Sequence, residues 1–203
     1  MTIIMNLQET IKRILREETK NIDSFINTIK SKFEVSPELE EGIIKFINDS
    51  NCQNIEFANF TMPALGISLH NGVLINKNSI NHGLSFLIFL IFHEVAHQYQ
   101  YKKYGEKKMY ECYIGKMSNN DAAVFMKNNE LVADEFASRK IREFQKKGLI
   151  DKLFIPPQVY KNVPLSTIGD MIKKYKKQMK SMGVDSPEKI SEYFYNVIKS
   201  KIE

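Results

Sequence analysis

Apolar side chains recur every three or four positions along much of the chain, which is the spacing of amphipathic helices. In the N-terminal part this spacing is shared by Ile11, Ile14, Leu15, Ile22, Phe25, Ile26 and Ile29. Another helix is expected to begin at Ser36-Pro37-Glu38, because serine is a favoured N-cap and proline fits the first helical position. The pattern predicts an N-terminal helical segment over residues 1–50.

After residue 50 the pattern changes to short apolar runs separated by polar turns. Ile55–Phe60, Leu65–Leu69 and Val73–Ile75 have the length and composition of strands. Asn71-Gly72 separates the second run from the third, and this dipeptide is a strong hairpin signal. We therefore expect a small β-sheet ahead of the main helices.

Two long helices are predicted next. The first extends from about Leu84 to Tyr104 and is stopped by Gly105, after which we expect a loop. The second begins at Ser118-x-x-Asp121, which resembles a capping box, and ends near Lys147. With the strands, these helices form the predicted core over residues 51–148.

The C-terminal segment, residues 149–203, begins with a break at Pro156-Pro157. Two more helices are expected, one over about Leu165–Met182 and one from Ser186-Pro187-Glu188 to the end. The predicted fold class is α+β: a mostly helical core with a small sheet, flanked by helical extensions and packed as one compact unit.

Composition narrows the function classes only slightly. A chain of 203 residues with 43% hydrophobic and 26% charged residues suits one globular domain. The formal net charge is +5, but nearly all of the 29 basic residues are lysine, and arginine is better suited to reading phosphates and bases. Nucleic-acid binding is therefore weakly supported, and we interpret the run Lys173–Lys177 as a solvated helix face.

Two features of the sequence bear on the cellular compartment. Cys52 and Cys112 are too few for a disulfide framework and form no Cys-x-x-Cys pair, so reduced thiols are expected. The most apolar run, Leu84–Phe92, is far shorter than the roughly 20 residues that cross a bilayer. Without a secretory signal pattern at the N-terminus, we expect a cytoplasmic protein that does not insert into membranes.

The chemistry of the chain centres on an HExxH sequence, His93-Glu94-Val95-Ala96-His97, in the first long helix. Residues four apart share one helix face, so His93 and His97 can direct two imidazoles at one ion. Glu94 lies beside them, where its carboxylate can act as general base on a metal-bound water. Two histidines, a carboxylate and an open position are ligands typical of one catalytic Zn²⁺.

The third ligand has to be a carboxylate, because no histidine follows His97. Glu130 and Asp134 lie four apart on the second long helix, flanked by Ala133 and Ala137, whose small size allows close helix packing. We predict Glu130 as the third ligand and Asp134 as the acceptor for the non-ligating nitrogen of one histidine. The alternative is that both acids belong to a solvated charged stripe.

The HExxH sequence and the downstream Glu130 together resemble the gluzincin metallopeptidases over roughly residues 55–145. The spacing Glu130-x-x-Ala133-x-x-Phe136-Ala137 is similar to the ImmA/IrrE-like family of compact repressor-cleaving proteases. The spacing Glu130-x-x-Ala133-Asp134-x-x-Ala137 is similar to that of the HtpX-like family, which is the alternative resemblance. The resemblance implies a zincin-like core and a strand, either Leu65–Leu69 or Val73–Ile75, that pairs with an extended substrate.

Three functions are consistent with these residues. The first is a zinc metalloendopeptidase that hydrolyses a protein or peptide substrate. The second is a zinc-binding regulatory or interaction protein without turnover, and the third is a DNA-associated, repressor-cleaving protease. A peptidase also needs a side chain that stabilises the oxyanion, and the sequence leaves five candidates open: His70, His82, Tyr101, Tyr110 and Tyr113.

Overall fold

The computed structural model describes residues 21–50, 52–60, 64–70, 72–186 and 189–190. Residues 21–30 are helical and are called α1. The other elements are α2 (Pro37–Asp49), β1 (Asn54–Ala58), β2 (Gly66–Leu69), β3 (Gly72–Asn76), a 3-10 helix (Lys77–His82), α3 (Leu84–Tyr104), α4 (Glu106–Ile114), α5 (Asn119–Lys146) and α6 (Leu165–Ser181). The fold is mixed α+β and mostly helical, as predicted.

The three strands form one sheet in the order β1-β3-β2. The central strand β3 pairs in parallel with β1 and antiparallel with β2, with Gly66 opposite Ile75 in the second pair. Every residue of β3 is buried, which suits a strand paired on both sides. Within the described sheet, β2 is an edge strand, and this edge borders the site described below.

The apolar half of α3 lies in the centre of the largest hydrophobic cluster. Residues Leu87 to Val95 are all buried, and they pack with α1, α2, the inner face of the sheet and the C-terminal half of α5. Phe92 is fully buried, with its ring edge-on to Phe46 at 4.5 Å and to Phe144 at 5.3 Å between centroids. The segments 1–50 and 51–148 therefore share one core over their described residues.

The C-terminal helix is held by a second apolar cluster. Ile168 and Ile172 of α6 pack with Ala122, Ala123 and Met126 at the start of α5. The Lys127 side chain also donates a hydrogen bond to the carbonyl of Val163, just before α6, at 2.7 Å. The segment from Gly148 to Val163 therefore returns along α5, past the residues that form the candidate site.

Most of the predicted elements agree with the structure, with one clear miss. The chain after Gly105 is not a loop, because residues Glu106–Ile114 form α4. This nine-residue helix lies between two glycines with positive φ and buries only Tyr110 and Cys112, so its apolar pattern is too short to stand out. The helix predicted over residues 1–20 lies outside the described residues. Of the helix predicted from Ser186 to the end, residues 189–190 are described beyond Ser186, and both are helical.

Among the helices of the described residues, none combines the length and apolar character needed to cross a bilayer. The apolar run Leu84–Phe92 belongs to α3 and lies largely in the core.

Replacing Phe92 should expose how far the core depends on α3. We expect Phe92→Ala to lower the free energy of unfolding of the metal-free protein by about 3–5 kcal/mol, because it leaves a cavity between two aromatic rings. Urea unfolding followed by circular dichroism measures this. Val132→Ala, at a position 57% exposed, is the control and should change stability by less than about 0.5 kcal/mol. Equal effects of the two substitutions would contradict this view of the core.

Candidate metal centre

The candidate site forms where α3 packs against α5. His93 lies close to Glu130 and Asp134, whereas Gln100, two turns later on α3, reaches back to Asn129. The two helices therefore run antiparallel. Ala133 and Ala137 of α5 are fully buried, and their small side chains let the helix axes approach closely.

The three predicted ligands converge on one point. The Nε2 atoms of His93 and His97 are 3.3 Å apart. Glu130 Oε2 lies 3.2 Å from His93 Nε2 and 3.8 Å from His97 Nε2. One ligand atom from each residue therefore lies within 4.8 Å of the others, and the group could hold a metal ion. Among the described residues it is the only such group of three or more histidine, cysteine or acidic side chains.

The spacing of these atoms fits a four-coordinate ion. In a tetrahedral site with metal–ligand distances of about 2.0–2.1 Å, neighbouring ligand atoms are separated by about 3.3–3.4 Å. The three separations of 3.2, 3.3 and 3.8 Å bracket this value. The donor set of two imidazole nitrogens and one carboxylate oxygen suits a borderline ion better than Mg²⁺ or Ca²⁺, which prefer oxygen alone.

Asp134 lies behind His93, on the side away from the ligand cluster. Its Oδ1 is 2.9 Å from His93 Nδ1, although the ring N–H is not aligned for a hydrogen bond. Asp134 Oδ2 and the hydroxyl of Ser138, one turn further along α5, are buried and have no hydrogen-bond partner. Asp134 thus lies beside the nitrogen of His93 that does not face Glu130.

His97 has a different neighbour on its outer nitrogen, one that the sequence analysis missed. Its Nδ1 lies 2.7 Å from Oε1 of Gln100, and Nε2 of Gln100 donates to the carbonyl of Asn129 at 2.7 Å. A glutamine three residues after the second histidine is a spacing that could have signalled this contact, because i and i+3 side chains share a helix face.

Glu94 lies between α3 and the edge of the sheet. A Cβ added to Gly66 would come within 2.5 Å of Glu94 Oε1 and 2.6 Å of its Cγ, so the backbone of β2 touches this side chain directly. Of the two strands considered from the sequence, β2 is the one that borders the carboxylate.

The strand is fixed to α3 by Gln98. Its Nε2 lies 2.5 Å from the hydroxyl of Ser68 and 2.8 Å from the carbonyl of Leu69, and the carbonyl of Gly72 is 3.3 Å away. Tyr101 donates to the carbonyl of Ser68 at 3.2 Å. The hairpin and the histidine-bearing helix are therefore tied together beside the site.

Burial and the neighbouring charges together shift the pKa values of the four side chains. Burial raises the pKa of Glu94 to about 7, helped by the charge of Glu130. Burial disfavours the charged form of His93, but the carboxylates of Asp134, Glu130 and Glu94 outweigh it and raise its pKa to about 10. Burial lowers the pKa of His97. Burial opposes ionisation of Glu130 too, but the two histidines outweigh it and hold its pKa below the usual value.

The five oxyanion candidates differ in their surroundings. His70 and His82 are exposed, and their rings rest against Tyr101 and Phe86. Tyr101 and Tyr110 pack on each other and contact the β2 segment. Burial raises the pKa of Tyr113, and the charges of Cys112 and Glu130 are the next largest causes.

Tyr160, which was not among the candidates, lies in the segment that returns along α5. Burial raises the pKa of its phenol, and the next largest causes are the charges of Glu130 and Glu94. The path of a loop cannot be inferred from a periodic pattern, which is why the sequence analysis missed it.

Comparison of the chain with protein-family models, curated proteins and solved structures finds no match. The resemblance to the gluzincins therefore remains a prediction from the residues themselves.

Binding of a divalent ion should release a proton. Between the Glu94 pKa of about 7 and the His93 pKa of about 10, Glu94 is ionised and His93 is protonated in the metal-free protein. A ligating imidazole must be neutral, so we expect about one proton released per Zn²⁺ and an affinity that rises about tenfold per pH unit. Calorimetric titration in buffers of different ionisation enthalpy counts the protons.

His82→Gln is the matched control for proton release, because His82 is exposed and remote from the cluster, and it should leave the count unchanged. Tight binding without proton release in the wild type would contradict the protonation state assigned to His93.

Proposed function

We propose that the protein is a zinc-dependent peptidase in which His93, His97 and Glu130 hold the ion and Glu94 is the general base. The single observation that carries this is the convergence of the three ligand atoms, separated by 3.2–3.8 Å, with a buried carboxylate beside them. A metal site with only a structural role requires the three ligands alone. Glu94 is not one of them, so its position beside the site favours a catalytic role.

Zinc is the ion that best fits two imidazoles and one carboxylate in a tetrahedral arrangement. When bound, it supplies Lewis acidity, which polarises a substrate carbonyl and acidifies water. The chain's own contribution is to fix three donors on two rigid helices and to keep the Asp134 carboxylate 2.9 Å from the outer nitrogen of His93.

Glu94 is suited to moving a proton. Its pKa of about 7 lies close to neutral pH, where a general base is most effective. In the proposed reaction its carboxylate takes a proton from the attacking water and delivers it to the nitrogen of the departing amine. Tyr160, whose pKa is raised by burial and then by the charges of Glu130 and Glu94, is our candidate to donate a hydrogen bond to the carbonyl oxygen as negative charge develops there.

The proposed substrate is an extended segment of a protein or peptide. Within the described sheet, β2 pairs with β3 on one side only, and its backbone contacts Glu94 through Gly66. A peptide that adds to this edge as a further strand would lie with its backbone next to the general base. Strand addition needs no particular side chain, so it suits a peptidase whose specificity is set elsewhere.

One observation favours the non-catalytic alternative. His93 and His97 are each 8% exposed and Glu94 is 6% exposed, so the site is nearly enclosed. An enclosed zinc ion that stabilises an interaction protein would have these values. The two functions differ in whether replacing Glu94 has any effect beyond the metal.

Metal content and turnover together test the proposal. Mass spectrometry should find near one zinc per chain in the wild type and in Glu94→Gln, and much less in Glu130→Ala, which loses a ligand. Glu135→Ala, an exposed acid on the same helix, is the matched control and should retain the metal. Hydrolysis of a mixed peptide library should fall by about 100-fold or more in Glu94→Gln, because the base is lost.

Two results would overturn this reading. Absence of zinc in the wild type after zinc is added would remove the metal site. Zinc without any hydrolysis that depends on Glu94 would establish the non-catalytic alternative.

Gly66→Ala should impair the proposed general base, Glu94, without affecting metal binding. The added methyl would meet Glu94 at 2.5–2.7 Å, so the carboxylate has to move, and the three atoms nearest to that methyl all belong to Glu94. We expect hydrolysis to fall at least about 10-fold with zinc content unchanged. Gly169→Ala on α6 is the control, because its nearest neighbour would be 4.0 Å away. Full activity in Gly66→Ala would place the base elsewhere.

A further inference from the structure

Gln100 makes two hydrogen bonds that join the two helices of the site. The side chain is buried, at 5% exposure, and extends from α3 towards α5. One end of its amide lies against the His97 ring and the other against the backbone of Asn129, the residue that precedes Glu130. Both contacts are 2.7 Å long. No function has been assigned to this side chain so far.

The backbone contact fixes which way the amide faces. A carbonyl oxygen can only accept a hydrogen bond, so the group that meets Asn129 O must be the NH₂ of Gln100. Oε1 then necessarily faces His97. A flipped amide would place two acceptors against each other at one end, and a buried acceptor left without a donor costs about 1–3 kcal/mol.

The amide in turn fixes the tautomer of His97. Oε1 accepts, so Nδ1 of His97 has to carry the proton, and in the neutral ring the lone pair is then on Nε2. That nitrogen is the one 3.3 Å from His93 Nε2 and 3.8 Å from Glu130 Oε2, at the centre of the cluster. The carbonyl of Asn129 thus fixes the Gln100 amide, and the amide fixes which nitrogen of His97 would bind the ion.

We propose that Gln100 is a positioning residue that holds His97 in the Nδ1–H tautomer and keeps Nε2 available to the ion. This inference rests on the proposed zinc site and adds to it a residue that orients one ligand. The geometry also makes Gln100 a direct link between the ring of one ligand and the backbone next to another.

The two histidines are therefore supported differently. His93 has a carboxylate behind it, and His97 has an uncharged amide. A second buried carboxylate beside His97 would add negative charge to a region that already holds Glu94, Glu130 and Asp134. An amide gives the same orienting acceptor without that charge, at the cost of requiring its own donor to be satisfied by Asn129.

The tautomer can be observed without any metal. Long-range ¹⁵N–¹H spectra of zinc-free protein labelled at histidine distinguish a protonated ring nitrogen from an unprotonated one. His70→Gln and His82→Gln assign the two exposed histidines. The expected result for wild-type His97 is a protonated Nδ1 and an unprotonated Nε2. Finding the proton on Nε2 would overturn the proposal, whatever the zinc content or activity.

Two variants separate the acceptor from simple packing. Gln100→Met keeps the length of the side chain but offers His97 no comparable acceptor, and it should give mixed tautomers and a zinc affinity lower by about 10–100-fold. Gln100→Glu keeps an acceptor oxygen and should retain the Nδ1–H tautomer. An unchanged tautomer in a folded Gln100→Met would show that the ring does not depend on the Gln100 acceptor, and loss of it in Gln100→Glu would also contradict the role of the acceptor.

These results are independent of the proposed peptidase activity. If wild-type protein binds no zinc, the proposed function fails while the tautomer still reports on Gln100. If zinc binds but the tautomer is the opposite one, only the role of Gln100 fails. Should Gln100→Met not fold, the wild-type spectrum and Gln100→Glu keep the proposal testable.

Discussion

Four ionisable side chains lie at the contact between α3 and α5: His93, Glu94 and His97 are buried, and Glu130 is partly buried. Taking a charge out of water costs several kcal/mol unless another charge or a hydrogen bond compensates it. Here the carboxylates stabilise a protonated His93, and the histidines keep Glu130 ionised. A divalent cation between the same atoms would compensate the carboxylates more fully than one proton. The packing of α3 on α5 therefore holds carboxylates and imidazoles in positions where a cation is stabilised.

The rest of the structure keeps that contact from relaxing. The first half of α3 is inserted in the largest apolar cluster, and Phe92, the residue before the first histidine, is among its most buried side chains. On the opposite side, Gln98 holds the β2–β3 hairpin against the same helix. A helix fixed by an apolar core at one end and by strand carbonyls at the other has little freedom to rotate. The direction of its histidine face is thus set by non-local packing.

The parts of the site that follow from local geometry could be predicted from the sequence. His93 and His97 share a face because the helix has 3.6 residues per turn, and Glu130 followed from the lack of another histidine. Gln100 and Tyr160 depend on the antiparallel register of α3 on α5 and on the path of a loop, which no periodic pattern encodes. The same limit explains the fold: the long helices and the hairpin were predictable, whereas the parallel pairing of β1 with β3 was not.

The edge strand β2 is only four residues long, Gly66–Leu69. In antiparallel pairing, only alternate residues direct their N–H and C=O groups towards a new neighbour, so this edge offers about four backbone hydrogen bonds. At about 0.5–1.5 kcal/mol each, they contribute about 2–6 kcal/mol together, which corresponds to binding no tighter than roughly tens of micromolar. A polypeptide held so weakly must already be extended when it arrives, because nothing at this edge compensates the unfolding of a helix or the removal of a strand from its own sheet. The β2 edge would thus bind only polypeptides that are already extended, and side-chain preferences would act only among those.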